Sequence, residues 1–443
     1  MPGPTPTAVI GDTQLPKRVD VVVIGGGIIG AMAALELVER GISVALCEKG
    51  EIGAEQSSRN WGWVRMAGRD AREIPLMDVA IQAWQGMDKR LGRKTGYTRT
   101  GSIFAASSDR IFSRYQDWTR NLTDRQMTCH MVSAADLEGL LPRNNMQLAG
   151  AMQTPMDGRA EPQWAAPAIA EAARDAGAHV LTGCAVRTVE TSAGAVSGVV
   201  TEKGEIGCQA VVLAGGAWSR LFAGNAGIEL PQLKVLNSVL RTTPIRDGPD
   251  VAFRGDKIAF RKHADGGYII ASREENVFDL VPDSFRLARA FFPALRAEWK
   301  AISFRLSDRW WQEARMKRHW RADDTSPFET CRILDPVPSA KARDHAWTAA
   351  RAAFPFLQGV EIAQSWAGLI DVTPDAIPVI SPVTDRPGLY IATGFSGHGF
   401  GIAPGAGRLV ADLITGAPPT VDPHDFRLSR FSDGSKTVLE TGY

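Results

Sequence analysis

Gly25, Gly27 and Gly30 fall between an apolar run, VDVVVI at residues 19–24, and AMAALELVER, which has helical periodicity and ends at Gly41. No other feature limits the fold as strongly. A continuous β-branched run predicts a strand buried on both faces, as in a parallel sheet. The GxGxxG turn then opens a helix, and ISVALCEK predicts a second strand with Glu48 at its end, 18 residues beyond Gly30. The three glycines serve different needs, since one turns the chain tightly, one lets backbone approach a pyrophosphate, and one lets helix and strand pack closely. The helix start turns N–H groups and its positive dipole end toward the phosphates. Glu48 stands where a carboxylate accepts hydrogen bonds from both ribose hydroxyls, which argues against a 2′-phosphate and hence against NADP. Strand, turn, helix, strand and acid in this order predict dinucleotide binding.

Glycine is abundant along the whole chain, 44 of 443 residues, or about 10% against an average near 7%. With 44% hydrophobic and 22% charged residues the composition excludes disordered and fibrous classes, and the length suits two to three domains. The balance of 50 basic and 49 acidic side chains gives no global field for a partner such as nucleic acid. Cys47, Cys129, Cys184, Cys208 and Cys331 are odd in number, show no CxxC and no metal-ligand rhythm, and so predict reduced thiols and no metal site. The first 17 residues lack the apolar run of a signal peptide and no run of 18 apolar residues occurs, so the expectation is a cytoplasmic protein.

Two later segments resemble further strands of the nucleotide domain. AHVLTGCAVRTVE and CQAVVLAGGAW give two more, the latter meeting Gly215 and Gly216. GLYIATGFSGHGFGIAPGAGRLVADLITG gives a strand, a glycine-dense loop and a helix in which Gly405 and Gly407 permit close packing. Three pieces of one α/β domain separated by long insertions are unlike a simple NAD dehydrogenase.

The strings VVVIGGGIIGAMAALELVERGISVALCEK, AVVLAGGAWS, WAGLIDVTPDAIPVI and ATGFSGHGFGIAPGAG resemble those of the FAD-dependent D-amino acid oxidase superfamily, which includes glycine oxidase, sarcosine oxidase and D-amino acid dehydrogenases. The resemblance runs over residues 19–420. It implies an α/β fold: a Rossmann-type FAD-binding domain over 19–84, 151–234 and 366–430, and an inserted α+β substrate domain built on an antiparallel sheet over 85–150 and 235–365, with 1–18 and 431–443 as tails. It also implies roles. Gly25, Gly27, Ile28, Ile29, Gly30, Glu48 and Lys49 would hold the ADP half, and Ser57, Ser58 and Arg59 would run beside the pyrophosphate and flavin. Val186 would meet the adenine, and Ala214, Gly215, Gly216 and Trp218 would flank the ribityl chain. Gly368, Gly397, His398, Gly399, Phe400 and Gly401 would line the flavin ring.

The departures from that pattern bear on substrate and linkage. Where glycine oxidase-like members carry a carboxylate-binding arginine this chain has Ile370, and the lysine and flavin-attaching cysteine of sarcosine oxidase-like members are replaced by Gly401 and Gly368. The FAD is therefore expected to be non-covalent. Arg65 is the first candidate to replace the missing anchor; Arg261 and Lys262 on IAFRK follow, with Tyr268 and Arg273 on the return strand GYIIASR of an inferred hairpin. Strand alternation allows at most one of Arg261 and Lys262 to face the site. Asp371, in a string that resembles γ-glutamylputrescine oxidases, is a candidate to face a cationic group, and His398 a candidate for a direct chemical role. Trp61, Trp63 and Phe260 are candidates for an apolar wall.

Residues 286–321 hold ten Arg or Lys and three acids, with four of the twelve tryptophans, and the spacing predicts one or two amphipathic helices with a basic face. Such a face is either a solvated cover of the roof domain or a docking surface at the inner face of a membrane, or for an electron acceptor; RNA is a third reading without a supporting motif. The resemblance implies oxidation of an amino acid as a small-molecule substrate, D-configured or N-substituted: the α-hydrogen passes as hydride to flavin N5, and the resulting imine is hydrolysed, with oxygen or a quinone as final acceptor. An amine or polyamine oxidase is the alternative within this fold, and a nucleic-acid-modifying flavoprotein the alternative outside it.

Overall fold

The computed structural model describes residues 3–122, 128–298 and 302–439, so residues 299–301 of the basic segment and the extreme ends of the tails lie outside the described residues. The predicted opening strand is β1 (Val21–Ile24), every residue of it buried, and the helix after the glycine turn is α1 (Ile28–Val38). The sheet continues with β2 (Val44–Cys47), β3 (His179–Leu181), β4 (Ala210–Leu213), β5 (Val379–Pro382) and β6 (Leu389–Thr393). Its order is β5-β6-β4-β1-β2-β3, parallel except where β5 pairs antiparallel with β6. Three chain segments far apart in sequence thus build one doubly covered sheet, as a run of apolar strands with helical crossovers requires.

The glycine-rich string after β6 forms α2 (Gly399–Thr415), which packs on α1. The contact is tight, a Cβ at Gly407 lying 2.7 Å from the Met32 Cβ, and α2 packs as closely on the helix Ile74–Gln85, where a Cβ at Gly405 would lie 2.4 Å from the Leu76 carbonyl oxygen. Gly30 closes α1 on its own strand in the same way, a Cβ there falling 1.9 Å from the Gly25 carbonyl oxygen.

The second unit is a ten-stranded, mostly antiparallel sheet that roofs the first. Its long central strand, Leu233–Thr242, pairs along its length with Ile362–Val372. The expected hairpin is present as Ile258–Lys262 against Tyr268–Ser272. Two expected divisions move. Gly150–Thr154 pairs with Ser102–Ala106 inside the roof sheet, so the roof extends past residue 150, and Ile362–Val372 runs through the division placed at 366. That strand runs from one unit to the other, ending beside the Gly394 loop that follows β6.

The basic segment holds two helices, within the one or two expected, and a strand that was not expected. It contains helices Ala288–Glu298 and Arg309–Arg315, but between them Ile302–Arg305 adds a parallel edge strand to Asn276–Asp279. Much of its charge is paired locally: Arg305 with Asp279 at 2.7 Å, Arg286 with Asp283 at 2.9 Å, Arg318 with Asp283 at 3.1 Å, and Arg309 with Glu313 at 2.8 Å. Acids just outside or inside the run therefore answer much of the positive excess that the sequence shows.

Candidate functional site

A cavity of about 480 Å³ lies where the carboxyl ends of β1, β2 and β4 meet the roof sheet, the place where open α/β sheets bind ligands. Its nucleotide end is built from β1, α1 and β2. Gly25 sits at φ +108°, a conformation that favours glycine, and a Cβ there would strike the Ala214 carbonyl oxygen at 2.5 Å. Gly27 caps α1 in extended geometry, and Ser57 Oγ accepts the Ile28 N–H at 2.8 Å. Glu48 is held by two backbone donors, Gly26 N–H at 2.7 Å and Gly50 N–H at 2.8 Å, which fixes its carboxylate at the end of β2. Burial pushes its pKa up, the opposing backbone donors and Lys49 notwithstanding.

Lys49 donates to Glu55 at 2.7 Å and to the Cys331 and Arg332 carbonyls at 2.8 Å, and lies over the Trp218 ring. Arg59 joins the two units, donating to the Ala54 and Ala367 carbonyls and pairing with Asp335 at 2.5 Å. Of the residues expected along a dinucleotide, Gly25, Gly27, Ile28, Ile29, Glu48, Lys49, Ser57, Arg59, Val186, Ala214, Gly215, Gly216 and Trp218 line the cavity. Gly30 and Ser58 do not. Gly30 is a packing position under the turn, and the buried Ser58 hydroxyl is turned to the Glu55 carbonyl at 3.2 Å.

At the other end, Gly368, Gly397, His398, Gly399, Phe400 and Gly401 line the cavity with the start of α2. The dipole of a seventeen-residue helix presents its positive end there, suited to negative charge on a ring or an oxygen. His398 Nδ1 lies 3.1 Å from Glu73 Oε2, and burial lowers its pKa despite that carboxylate. The ring is thus a neutral, oriented group above pH 7, anchored by an acid that also takes Arg69 at 3.7 Å.

Asp371 lines the cavity, but its Oδ2 accepts the Gly394 N–H at 2.8 Å, Gln232 Nε2 at 3.0 Å and Thr393 Oγ1 at 3.3 Å. That oxygen is committed to holding the loop after β6. Burial pushes the carboxyl up to about 6. Arg65 lines the cavity and donates to the Ala67 carbonyl while lying over the Trp63 and Phe104 rings.

Arg261 and Tyr268 are corrections, since neither lines the cavity. Arg261 is 1% exposed and clamped by Glu161 at 2.7 and 2.8 Å, with a third bond to the Trp61 carbonyl. Tyr268 is fully buried with its hydroxyl on the Pro249 carbonyl at 2.8 Å, and Phe260 stacks on Phe253 in the same core rather than on the site. Trp61, Trp63 and Arg273 do line it. The sequence reading missed Arg254, Asn237 and Asn276, which line it as well. The two asparagines form a chain with Trp61, whose Nε1 donates to Asn237 Oδ1 at 3.0 Å while Asn237 Nδ2 donates to Asn276 Oδ1 at 3.0 Å. Among the described residues no group of His, Cys, Asp and Glu could hold a metal ion.

A family model described as FAD dependent oxidoreductase matches residues 20–413. Among solved structures, the L-amino acid deaminase from Proteus myxofaciens, in complex with anthranilate, is 32% identical with a TM-score of 0.94, covering 98% of each chain. Among curated proteins, the glycine oxidase of Geobacillus kaustophilus is 25% identical over 93% of this chain and 97% of its own length. The 4-methylaminobutanoate oxidase (formaldehyde-forming) of Paenarthrobacter nicotinovorans is 26% identical over 94% of this chain, which spans about half (46%) of that longer protein.

Proposed function

The chain belongs to the FAD dependent oxidoreductase family, and from that premise we propose that it oxidatively deaminates an L-α-amino acid. The cofactor of the family is FAD, and the cavity fits it: the backbone at Gly25 leaves no room for a Cβ on the side of β4, Glu48 is oriented for a ribose, and the positive end of α2 faces the far wall. Gly25, Gly27 and Glu48 would hold the ADP half, and Gly397 to Gly401 the ring. Gly368 carries no thiol for attachment, and a Cβ there would lie 3.3 Å from the Arg59 Cβ, in keeping with non-covalent binding. Bound FAD supplies a two-electron acceptor.

The residues around it orient, exclude water and place charge. The arginines that line the cavity attract the substrate carboxylate, Trp61 and Trp63 cover the reacting region, and the α2 dipole stabilises negative charge where electrons arrive. No side chain need take the α-hydrogen as a proton, and His398, held by Glu73, serves as a positioned neutral wall. The observation that carries the L configuration is the 32% identity and 0.94 TM-score to a deaminase of L-amino acids; D-configured, N-methylated and amine substrates stand second, on relatives at lower identity. An anaerobic panel read by loss of flavin absorbance separates them. L-amino acids are expected to bleach the flavin at least about tenfold faster than their D-enantiomers, N-methyl forms or diamines. Faster bleaching by any of those classes would move the assignment to it.

The acceptor that reoxidises the flavin is proposed to reach the protein at a membrane surface. Phe285, Phe292, Leu306 and Trp311 are 63%, 61%, 72% and 59% exposed on one stretch of chain, in company with paired arginines. Large apolar side chains this exposed favour an interface. No helix among the described residues is long and apolar enough to cross a membrane, and the contact proposed here is made by exposed side chains alone. Vesicles of neutral phosphatidylcholine should retain the protein in a flotation assay, and the triple change Phe292→Ser, Leu306→Ser and Trp311→Ser should abolish retention. Retention that needs anionic lipid and survives the triple change would contradict an apolar contact.

A further inference from the structure

The Phe104 ring carries two guanidinium groups, Arg254 at 4.8 Å and Arg65 at 5.6 Å from its centroid. Both line the cavity, as does Arg273, which also donates to the Gly255 carbonyl at 2.6 Å. Among the described residues neither Arg65 nor Arg254 forms an ion pair. Arg254 is 8% exposed, and its Nη1 is buried with no hydrogen-bond partner.

The acids near this wall are already engaged. Glu73 answers Arg69 and His398, and Asp157 accepts the Met66 N–H at 2.6 Å, the Ala67 N–H at 3.3 Å and the Ser102 hydroxyl at 2.6 Å. Burial, then Arg273, Arg65 and Arg114, pushes Arg254 far below the usual arginine range, and burial followed by Arg69 brings Arg65 down to about 9. An arginine relieves such stress by taking up an anion rather than by releasing its proton. A buried, unanswered guanidinium is strongly unfavourable in a free protein, so Arg254, with the half-buried Arg65 on the same ring, marks a place prepared for negative charge from outside. One bidentate guanidinium is enough for one α-carboxylate. This wall offers more than one.

We propose that the substrate carries two acidic groups, an amino acid whose side chain or N-substituent ends in a carboxylate, and that Arg254 together with Arg65 takes the second acid. This rests on the amino acid reading above and narrows its substrate class. Ala252–Arg254 sets the position: it is a short strand between Ile258–Lys262 and Ser102–Ala106, so its arginine reaches the cavity from the roof while Phe253 points into the aromatic core.

Binding is read first, on the oxidised holoenzyme, by calorimetry and by perturbation of the flavin spectrum with glutarate and with butyrate. Glutarate is expected to bind at least about thirtyfold tighter than butyrate, the worth of one charged hydrogen-bonded contact, and Arg254→Gln should remove most of that difference while Arg254→Lys keeps part of it. Equal affinity of the two acids in the parent protein overturns the proposal without any variant. Turnover is read second: the ratio of kcat/KM for L-glutamate to that for L-norvaline should fall at least about tenfold in Arg254→Gln. An unchanged ratio also overturns it. The thermal midpoint of ligand-free Arg254→Gln should not fall below the parent's, since a buried unanswered charge is being removed; a large drop would make Arg254 a structural residue and contradict its role in binding. If glutarate binds selectively but no amine bleaches the flavin, the two-acid wall stands and the oxidation reading falls. If L-norvaline bleaches it as efficiently as L-glutamate, the oxidation reading stands and the two-acid wall falls.

Discussion

Gly27→Leu will give a folded protein that purifies without FAD. Gly27 is at φ −68° and ψ 173°, which any residue adopts, and a Cβ there meets only Ser57 Oγ at 3.2 Å. The backbone therefore tolerates the change, but the rest of the leucine enters the cavity where the cap of α1 faces the ligand. Losing two pyrophosphate contacts to N–H donors at about 1.5–3 kcal/mol each weakens FAD by about two to four orders of magnitude. The neighbouring change Gly30→Ala is a different experiment. A Cβ 1.9 Å from the Gly25 carbonyl oxygen forces α1 off β1, so stability itself should drop by about 1–3 kcal/mol. Flavin content by absorbance and unfolding by circular dichroism separate the two. Full flavin occupancy in Gly27→Leu would mean that the pyrophosphate does not run over the α1 cap.

Flavin reduction by substrate will rise about tenfold per pH unit above pH 7, until the bound amine's own pKa is reached. The sign follows from the protein's own groups. Burial raises Asp157 and Asp371 to about 6, so both are ionised above pH 7. His398 is lowered from its ordinary value and is neutral in the same range. These carboxyls and the imidazole have thus finished titrating, Arg65 keeps its proton once an anion answers it, and the slope that remains belongs to the substrate amine, which must lose its proton before its α-hydrogen can leave as hydride. Single-turnover stopped-flow between pH 7 and 9 reads this directly. A flat profile would show that the amine is not oxidised in its neutral form.

The nucleotide half of the site was legible in the chain because each of its constraints is local. A glycine that must sit at positive φ, a helix that must start at a phosphate and an acid that must end a strand all leave marks within thirty residues. The arginines show where local reading stops. The strings Ala252-Phe253-Arg254 and Ala259-Phe260-Arg261 are the same three residues on adjacent antiparallel strands, with Phe253 paired to Phe260. Alternation turns both arginines to the face opposite the phenylalanine stack, and nothing in either string tells them apart. Glu161, about a hundred residues earlier and buried at the head of a helix, captures Arg261 and leaves Arg254 to the cavity. Asp371 shows the same limit: it lines the cavity, but its partners Gln232, Thr393 and Gly394 come from two other segments, and only their convergence turns Oδ2 toward the loop. In the basic run the periodicity marked the helices Ala288–Glu298 and Arg309–Arg315, but not the short edge strand between them, whose pairing with Asn276–Asp279 is a tertiary fact.

The central claim is that one cavity binds FAD and oxidises an amino acid in contact with it. It is tested most directly by a single anaerobic turnover of the purified yellow protein with L-glutamate, in which flavin absorbance, 2-oxoglutarate and ammonium are all counted. The predicted result is complete bleaching, with one 2-oxo acid and one ammonium released for each flavin reduced. A flavin that stays oxidised with L-glutamate and with every other amino acid and amine in the panel, in protein that holds its full complement of FAD, would contradict it.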